Sequence, residues 1–195
     1  MSDAELDRGY DIIGDVHGCA HTLERLLEQM GYRRLNGVWQ HPRRQALFLG
    51  DIIDRGPRIR EALHLVRDMV EAGQARCIMG NHEFNAICWE TPAPPGSARS
   101  YLREHTERHH RLIGDTLAQF DPWPQEWREF VQWFGDLPLF LDMGPFRLVH
   151  ACWDSSLIEP LRQDYPDGRI DDEFLIASAH WGSFPAQTFD RLLRG

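Results

Sequence analysis

Residues 10–18 read Tyr-Asp-Ile-Ile-Gly-Asp-Val-His-Gly, an apolar run that stops at a glycine and then delivers an aspartate and a histidine two positions apart. The run predicts a short buried strand, and the glycines allow a sharp turn at its end. In an extended segment residues i and i+2 project to the same side, so Asp15 and His17 can grip one metal ion together. Alone, the pair reads more readily as an Asx-type turn, because aspartate is common there.

The arrangement recurs. Ala46–Leu49 ends at Gly50, followed by Asp51 and then Asp54-Arg55-Gly56; Arg76–Met79 ends at Gly80, followed by Asn81-His82-Glu83. Helical patterns lie between these strands: Leu23, Leu26, Leu27 and Met30 closed by Gly31, then Ile59, Leu63, Val66 and Val70 after Pro57. Strand alternating with helix predicts an α/β layered architecture, a β-sheet core flanked by helices, and in open α/β sheets functional groups collect at the carboxyl ends of strands. Thr91–Gly96 breaks any helix, a polar helix-compatible stretch runs from Ser97 to about Phe120, and Pro124 to Phe134 places Trp127, Phe130, Val131 and Phe134 on one face. Residues 91–135 therefore read as a helical insertion. Leu139–Leu141 and Phe146–Val149 read as a hairpin whose second strand delivers His150. After Trp153 a turn at Tyr165–Gly168 is expected within an otherwise helical remainder.

Four segments thus end in carboxylate, imidazole and amide at corresponding tips, and accidental turns become the poorer account. Asp51 can present one oxygen to each of two ions at the roughly 3.5–4 Å spacing of two-metal hydrolases, with Asn81 and His150 completing much of the second ion's shell. Two divalent ions outweigh the two carboxylates Asp15 and Asp51, and the surplus attracts phosphate. An oxygen and imidazole set without thiolate suits manganese, iron or zinc. A water bridging the ions would lose a proton near neutral pH and become the attacking hydroxide.

Composition sets the outer bounds. A chain of 195 residues supports a single domain over 1–195, and 42% hydrophobic with 26% charged residues is ordinary for a globular protein. The net charge of -9 argues against nucleic-acid or anionic-membrane partners. The N-terminal residues lack a basic start and an apolar h-region, and no apolar stretch is long enough to span a bilayer, so a cytoplasmic location is expected. Cys19, Cys77, Cys88 and Cys152 form no CxxC pair and are expected to be reduced and packed as small apolar side chains.

As an ordered series, GDVHG (14–18), GDIIDRG (50–56), GNHE (80–83) and VHA (149–151) closely resemble the motifs of the calcineurin-like metallophosphoesterases. The DRG and GNHE forms look most like the branch containing the serine/threonine protein phosphatases and the bacterial diadenosine polyphosphate hydrolases. The resemblance covers Tyr10 to about Trp153. It implies a metallophosphoesterase-type sheet, with Asp15, His17 and Asp51 on a first divalent ion and Asp51, Asn81 and His150 on a second. It also implies His82 as general acid, Asp54 as the carboxylate orienting it, and Arg55 as the phosphate clamp, with Arg55 and Asn81 facing substrate. These roles make chemical sense: an imidazole beside a carboxylate stays protonated to higher pH, and a planar guanidinium holds two phosphate oxygens at once. The implied activity is metal-dependent hydrolysis of a phosphomonoester or of a nucleotide phosphoanhydride of the diadenosine polyphosphate kind. The alternatives are a protein serine/threonine phosphatase acting on phosphoprotein and a low-activity metal-binding regulatory module.

Two departures bear on that choice. Met79 stands where protein phosphatases of this branch usually carry an arginine, which weakens the phosphoprotein option unless Arg58 or Arg76 substitutes. No GH motif follows His150. The later histidine, His180, sits in Ala-His-Trp-Gly, outside the family's context, so the chain reads as a member shortened at its C-terminus with a second metal site one ligand short.

Other features carry less. His105 and His109 have i, i+4 spacing, but Arg103, Glu104, Glu107, Arg108 and Arg111 around them suggest a solvated helix face. Cys19 and Cys152 flank site residues, with inert packing the simpler reading. Glu83 reads as a supporting or helix-start residue rather than a ligand. Trp123, Trp127 and Trp133 could line a nucleobase groove, although an amphipathic helix core explains at least Trp127 equally well.

Overall fold

The computed structural model describes residues 9–195; the reading of the N-terminus falls largely on residues 1–8, outside the described residues. Strand β1 (Gly9–Ile13) leads through α1 (Ala20–Gln29) and the antiparallel pair β2 (Arg33–Leu35) and β3 (Val38–Gln40) to β4 (Arg44–Phe48); α2 (Ile59–Glu71) then leads to β5 (Ala75–Cys77). β1, β4 and β5 form a parallel sheet in the order β1-β4-β5, with Ile13 opposite Phe48 and Phe48 opposite Cys77. That register brings the three carboxyl ends level, so the residues after each strand share one edge.

The central strand is apolar and buried from Ala46 to Phe48, where both its faces are covered. Leu47 and Ile78 pack with Leu141 and Leu148 of the hairpin β6 (Phe140–Asp142) and β7 (Arg147–Val149) on one face, while Ala46 and Phe48 join the larger helix-covered core. β1 is not the buried strand expected: Ile12 is 55% exposed, since β1 has a strand neighbour on one side only. Its buried Asp11 is held by Arg44 and by the Tyr32 hydroxyl at 3.1 Å. Helix α2 buries Ile59, Ala62, Leu63, Val66 and Met69 completely, and each large aliphatic chain contributes about 1.5–3 kcal/mol of burial.

Helix α3 (Asn81–Glu90) is buried from His82 to Trp89 except at Asn85, with the polar His82 and Glu83 enclosed alongside its apolar residues. The insertion is helical only in α4 (Glu107–Phe120) and α5 (Pro124–Gly135). Residues 97–106 are not helical: Pro92 bridges Tyr101, and the Leu102 and Arg103 amides donate to Thr91 and Cys88 carbonyls at 2.9 Å. On α5, Trp127, Phe130, Trp133 and Phe134 are buried, Trp133 in place of the expected Val131. The remainder is helical as expected, in α6 (Ser155–Asp164), α7 (Asp172–Ala177) and α8 (Phe184–Arg194). No described helix is long and apolar enough to cross a membrane. All four cysteines are free; Cys77 and Cys88 are buried as expected, Cys152 is half-buried, and Cys19 is exposed.

Candidate metal centre

The level strand ends are tied to one another through the backbone. The amides of Val16 and His17 both donate to the Asp51 carbonyl, at 3.0 and 2.9 Å, and the Gly18 amide to Ile52 at 2.7 Å. Holding these tips together requires unusual torsions. Among the described residues five non-glycines have positive φ, and four are His17 (43°), Asp51 (54°), Asp54 (68°) and Arg55 (68°). Such residues cost of order 1–3 kcal/mol each and persist only where surrounding contacts enforce them.

Contact between tips also leaves no room for side chains. Gly50 has φ of 87°, and a Cβ there would lie 2.2 Å from the Gly80 nitrogen and 2.5 Å from its Cα, both backbone atoms. We predict that Gly50→Ala destabilises the protein by about 2–4 kcal/mol, combining torsional strain with overpacking. Urea unfolding measures this; a variant within about 0.5 kcal/mol of the parent, the usual surface range, would show that the tips do not meet this closely.

The Asp51 carboxylate is the hub. Its Oδ1 accepts the His82 amide at 3.0 Å, at the start of α3. Its Oδ2 lies 3.8 Å from Nε2 of His17, 3.8 Å from Nε2 of His82 and 3.6 Å from Nε2 of His150. Asp15 reaches His17 Nε2 at 3.6 Å, and Asn81 Oδ1 lies 3.1 Å from His150 Nε2. The five residues expected at the metals, Asp15, His17, Asp51, Asn81 and His150, are therefore brought together, with Asp51 at their centre.

Two of the imidazoles have their tautomer fixed. Nδ1 of His17 faces the Ile53 carbonyl at 2.8 Å, and Nδ1 of His150 faces the Leu49 carbonyl at 2.6 Å. A carbonyl only accepts, so each Nδ1 carries a proton and, in the neutral ring, each Nε2 turns a lone pair inward. Nε2 of His17 is buried without a hydrogen-bond partner. Nε2 of His150 faces the oxygens of Asn81 and Asp51, acceptor against acceptor. Buried lone pairs converging without a donor are unfavourable unless a cation lies among them, so these residues fit divalent metal, and ring nitrogens backed by carbonyls are the usual orientation for such ligands.

His82 is set differently. Its Nδ1 donates to Asp54 Oδ2 at 2.5 Å, and Thr116 on α4 donates its hydroxyl to Asp54 Oδ1 at 2.5 Å while accepting the Asp54 amide at 3.1 Å. Burial disfavours the imidazolium, but the Asp54 hydrogen bond and the charges of Asp51, Asp54 and Glu83 outweigh it and raise the pKa of His82 above its ordinary value. The exposed Arg55 approaches His82 Nε2 loosely, at 3.4 Å.

Beneath them Glu83 is fully buried. Its carboxylate accepts the amides of Asp51 (2.7 Å), Ile52 (2.8 Å) and Gly80 (3.0 Å), and that of Ile53 at 3.4 Å. It is a supporting residue, as its place at a helix start suggests. Thr116 carried no sequence signal, lying 62 residues from its partner in an amphipathic helix.

The remaining residues fall elsewhere. His180 is exposed, lines a surface recess with Pro94 and Arg99, and belongs to neither group of clustered metal-capable donors. His105 precedes α4 rather than sharing a helix face with His109; its ring is stacked between Trp89 (3.7 Å) and Tyr101 (4.2 Å), because residues 97–106 fold back onto α3. Met79 is fully buried, Arg58 pairs with Glu61 at 3.1 Å, and Arg76 lies against the Met143 sulfur, so none of these supplies a further phosphate clamp. Trp127 and Trp133 are core residues, while Trp123 is half-exposed beneath the Arg60 guanidinium.

Known proteins resemble this chain in sequence and in fold. The bis(5'-nucleosyl)-tetraphosphatase PrpE of Bacillus thuringiensis is 41% identical over 165 residues, 80% of this chain and 59% of that protein. The enzyme of the same name from Oceanobacillus iheyensis is 51% identical over 73 residues, 37% of this chain and 29% of its own. The matches thus span less than two thirds of these relatives' length. The cold-active protein-tyrosine phosphatase of a psychrophilic Shewanella shares the fold at 20% identity with a TM-score of 0.52, over 90% of this chain and 59% of that one. The profile described as calcineurin-like phosphoesterase matches residues 10–189, a span that contains every strand tip meeting at Asp51. By that match this chain belongs to the calcineurin-like phosphoesterases.

Proposed function

We propose that this chain carries the catalytic core of a dinuclear metal-dependent phosphoesterase acting on a phosphomonoester or, by preference, a nucleotide phosphoanhydride of the diadenosine polyphosphate kind. The observation that carries this reading is the convergence of the His17 and His150 lone pairs on the Asp51 carboxylate. Asp15, His17 and Asp51 would hold one divalent ion, and Asp51, Asn81 and His150 a second. Bound cations supply positive charge for the phosphoryl oxygens and acidify the attacking water.

The other residues do the remaining work. His82 lies as near Asp51 as His17 does, but its Nδ1 is committed to a carboxylate that favours the charged ring, which suits a proton donor better than a ligand. Its Nε2 proton goes to the departing oxygen, while Asp54, braced by Thr116, keeps the ring in place. Arg55 is exposed and beside that nitrogen, placed to hold phosphate oxygens as charge develops. The PrpE relatives, named as tetraphosphatases, favour a nucleotide substrate.

The test is turnover of p-nitrophenyl phosphate and of diadenosine tetraphosphate by the chelator-treated protein before and after manganese is added. Activity should depend on metal. His82→Ala should lower kcat for diadenosine tetraphosphate by about 10²–10⁴-fold, and by less for p-nitrophenyl phosphate, whose phenolate leaves without a proton. Equal losses on both substrates would remove His82 from the acid role. The second reading, a weakly active metal-binding module, rests on the donor sets: among the described residues no further histidine joins Asn81 and His150. It predicts one tightly held ion per chain and little turnover, whereas two equal, tight ions would exclude it.

A further inference from the structure

Three arginines gather beside α3, one turn beyond its metal-facing end. Asn85 follows Asn81 by four residues and His82 by three, so it shares their side of the helix. Its Oδ1 accepts Arg103 at 2.7 Å and Arg194 at 3.1 Å. Arg99 reaches over from the insertion, donating to the Ala179 carbonyl at 3.0 Å. The three line a recess of about 220 Å³ with Phe84, Asn85 and Leu102. Arg194 has Asp190 at 3.3 Å, and Glu104 stands on the recess wall, but neither Arg99 nor Arg103 has a carboxylate within salt-bridge distance among the described residues.

Such crowding is costly without an anion. Burial lowers the pKa of the half-buried Arg103, and the charges of Arg194 and Arg108 lower it further, while Asp54 of the candidate site acts in the opposite sense. The same three arginines pull on Cys88 in the recess, yet burial pushes that thiol up to about 12, which leaves it neutral and unsuited to nucleophilic work. In a chain of net charge -9, a knot of guanidinium groups next to a phosphoryl site marks a place for an anionic ligand.

We infer that Arg99, Arg103 and Arg194 form a subsite for substrate phosphates beyond the one being cleaved, so that the preferred substrate carries a chain of phosphates rather than a single ester phosphate. This rests on the phosphoesterase reading for the identity of the ligand as substrate. Planar guanidinium groups suit it, since each can engage two oxygens at once.

Inorganic tripolyphosphate is the probe, and calorimetry on chelator-treated protein reads the arginines without metal. The parent is expected to bind it, Arg103→Met and Arg99→Met to weaken binding at least tenfold, and Arg103→Lys to recover part of the loss. With manganese, kcat/KM for diadenosine tetraphosphate should fall at least tenfold more than that for p-nitrophenyl phosphate in the Met variants. Arg99→Met, which removes one hydrogen bond to a partly buried carbonyl, keeps the test open if Arg103→Met fails to fold. No tripolyphosphate binding by the parent, or affinity unchanged within threefold in both Met variants, overturns the subsite. Arginine-dependent binding with no turnover of either substrate sustains the subsite and sinks the phosphoesterase reading; turnover without arginine dependence does the reverse.

Discussion

If Asp51 bridges two ions as proposed, Asp51→Asn should lower kcat on any phosphate ester by about a thousandfold or more while leaving the fold intact, since the loss removes a charge shared by both sites. The asparagine can still accept the His82 amide through its oxygen. Its NH2 group then points where Oδ2 stood, 3.6–3.8 Å from three imidazole nitrogens, two of which present lone pairs. Hydrogen bonds from that amide can satisfy nitrogens that would otherwise need a cation. The variant should therefore melt no lower than the metal-free parent and should hold less than one equivalent of manganese after gel filtration. Retention of a tenth of the parent's kcat, or of two equivalents of metal, would show that Asp51 does not link the ions.

Glu83→Ala should have the largest effect on stability, about 3–5 kcal/mol in urea unfolding, because it strands several buried amide donors at once. The amides of Asp51, Ile52 and Gly80 all end on this one carboxylate within 3.0 Å. Among the described residues no other side-chain acceptor reaches them. Burial and the neighbouring Asp51 charge raise the Glu83 pKa, while the amides of Asp51 and Ile52 pull it down. Glu83→Gln should lie between parent and Ala, since it keeps one oxygen but turns an NH2 toward a backbone N–H. A loss below about 1 kcal/mol for Glu83→Ala, the worth of a single ordinary hydrogen bond, would mean the amides find water instead.

The parts legible in sequence are those where backbone chemistry and side-chain chemistry coincide. Gly50 and Gly80 mark where strands end and chains touch, and the polar residues after them are the site. His150 was readable because the hairpin that carries it announces itself through Met143-Gly144-Pro145 between two apolar runs. Residues 97–106 were not readable: a polar stretch fits a helix or an irregular segment, and here the choice is made by contacts with α3, including the His105 ring between Trp89 and Tyr101. Thr116 and the arginine recess were hidden for the same reason, since each depends on which distant helix faces which. Ile12 misled because an apolar residue on a sheet edge looks the same in sequence as one at the centre.

The left-handed backbone at His17, Asp51, Asp54 and Arg55 has a practical corollary. Glycine would relax each of these positions, so a directed-evolution campaign scored on heat survival alone would tend to enrich the codons that erase the donor atoms. Any thermostabilising library for this scaffold should freeze those four sites and seek its gains elsewhere.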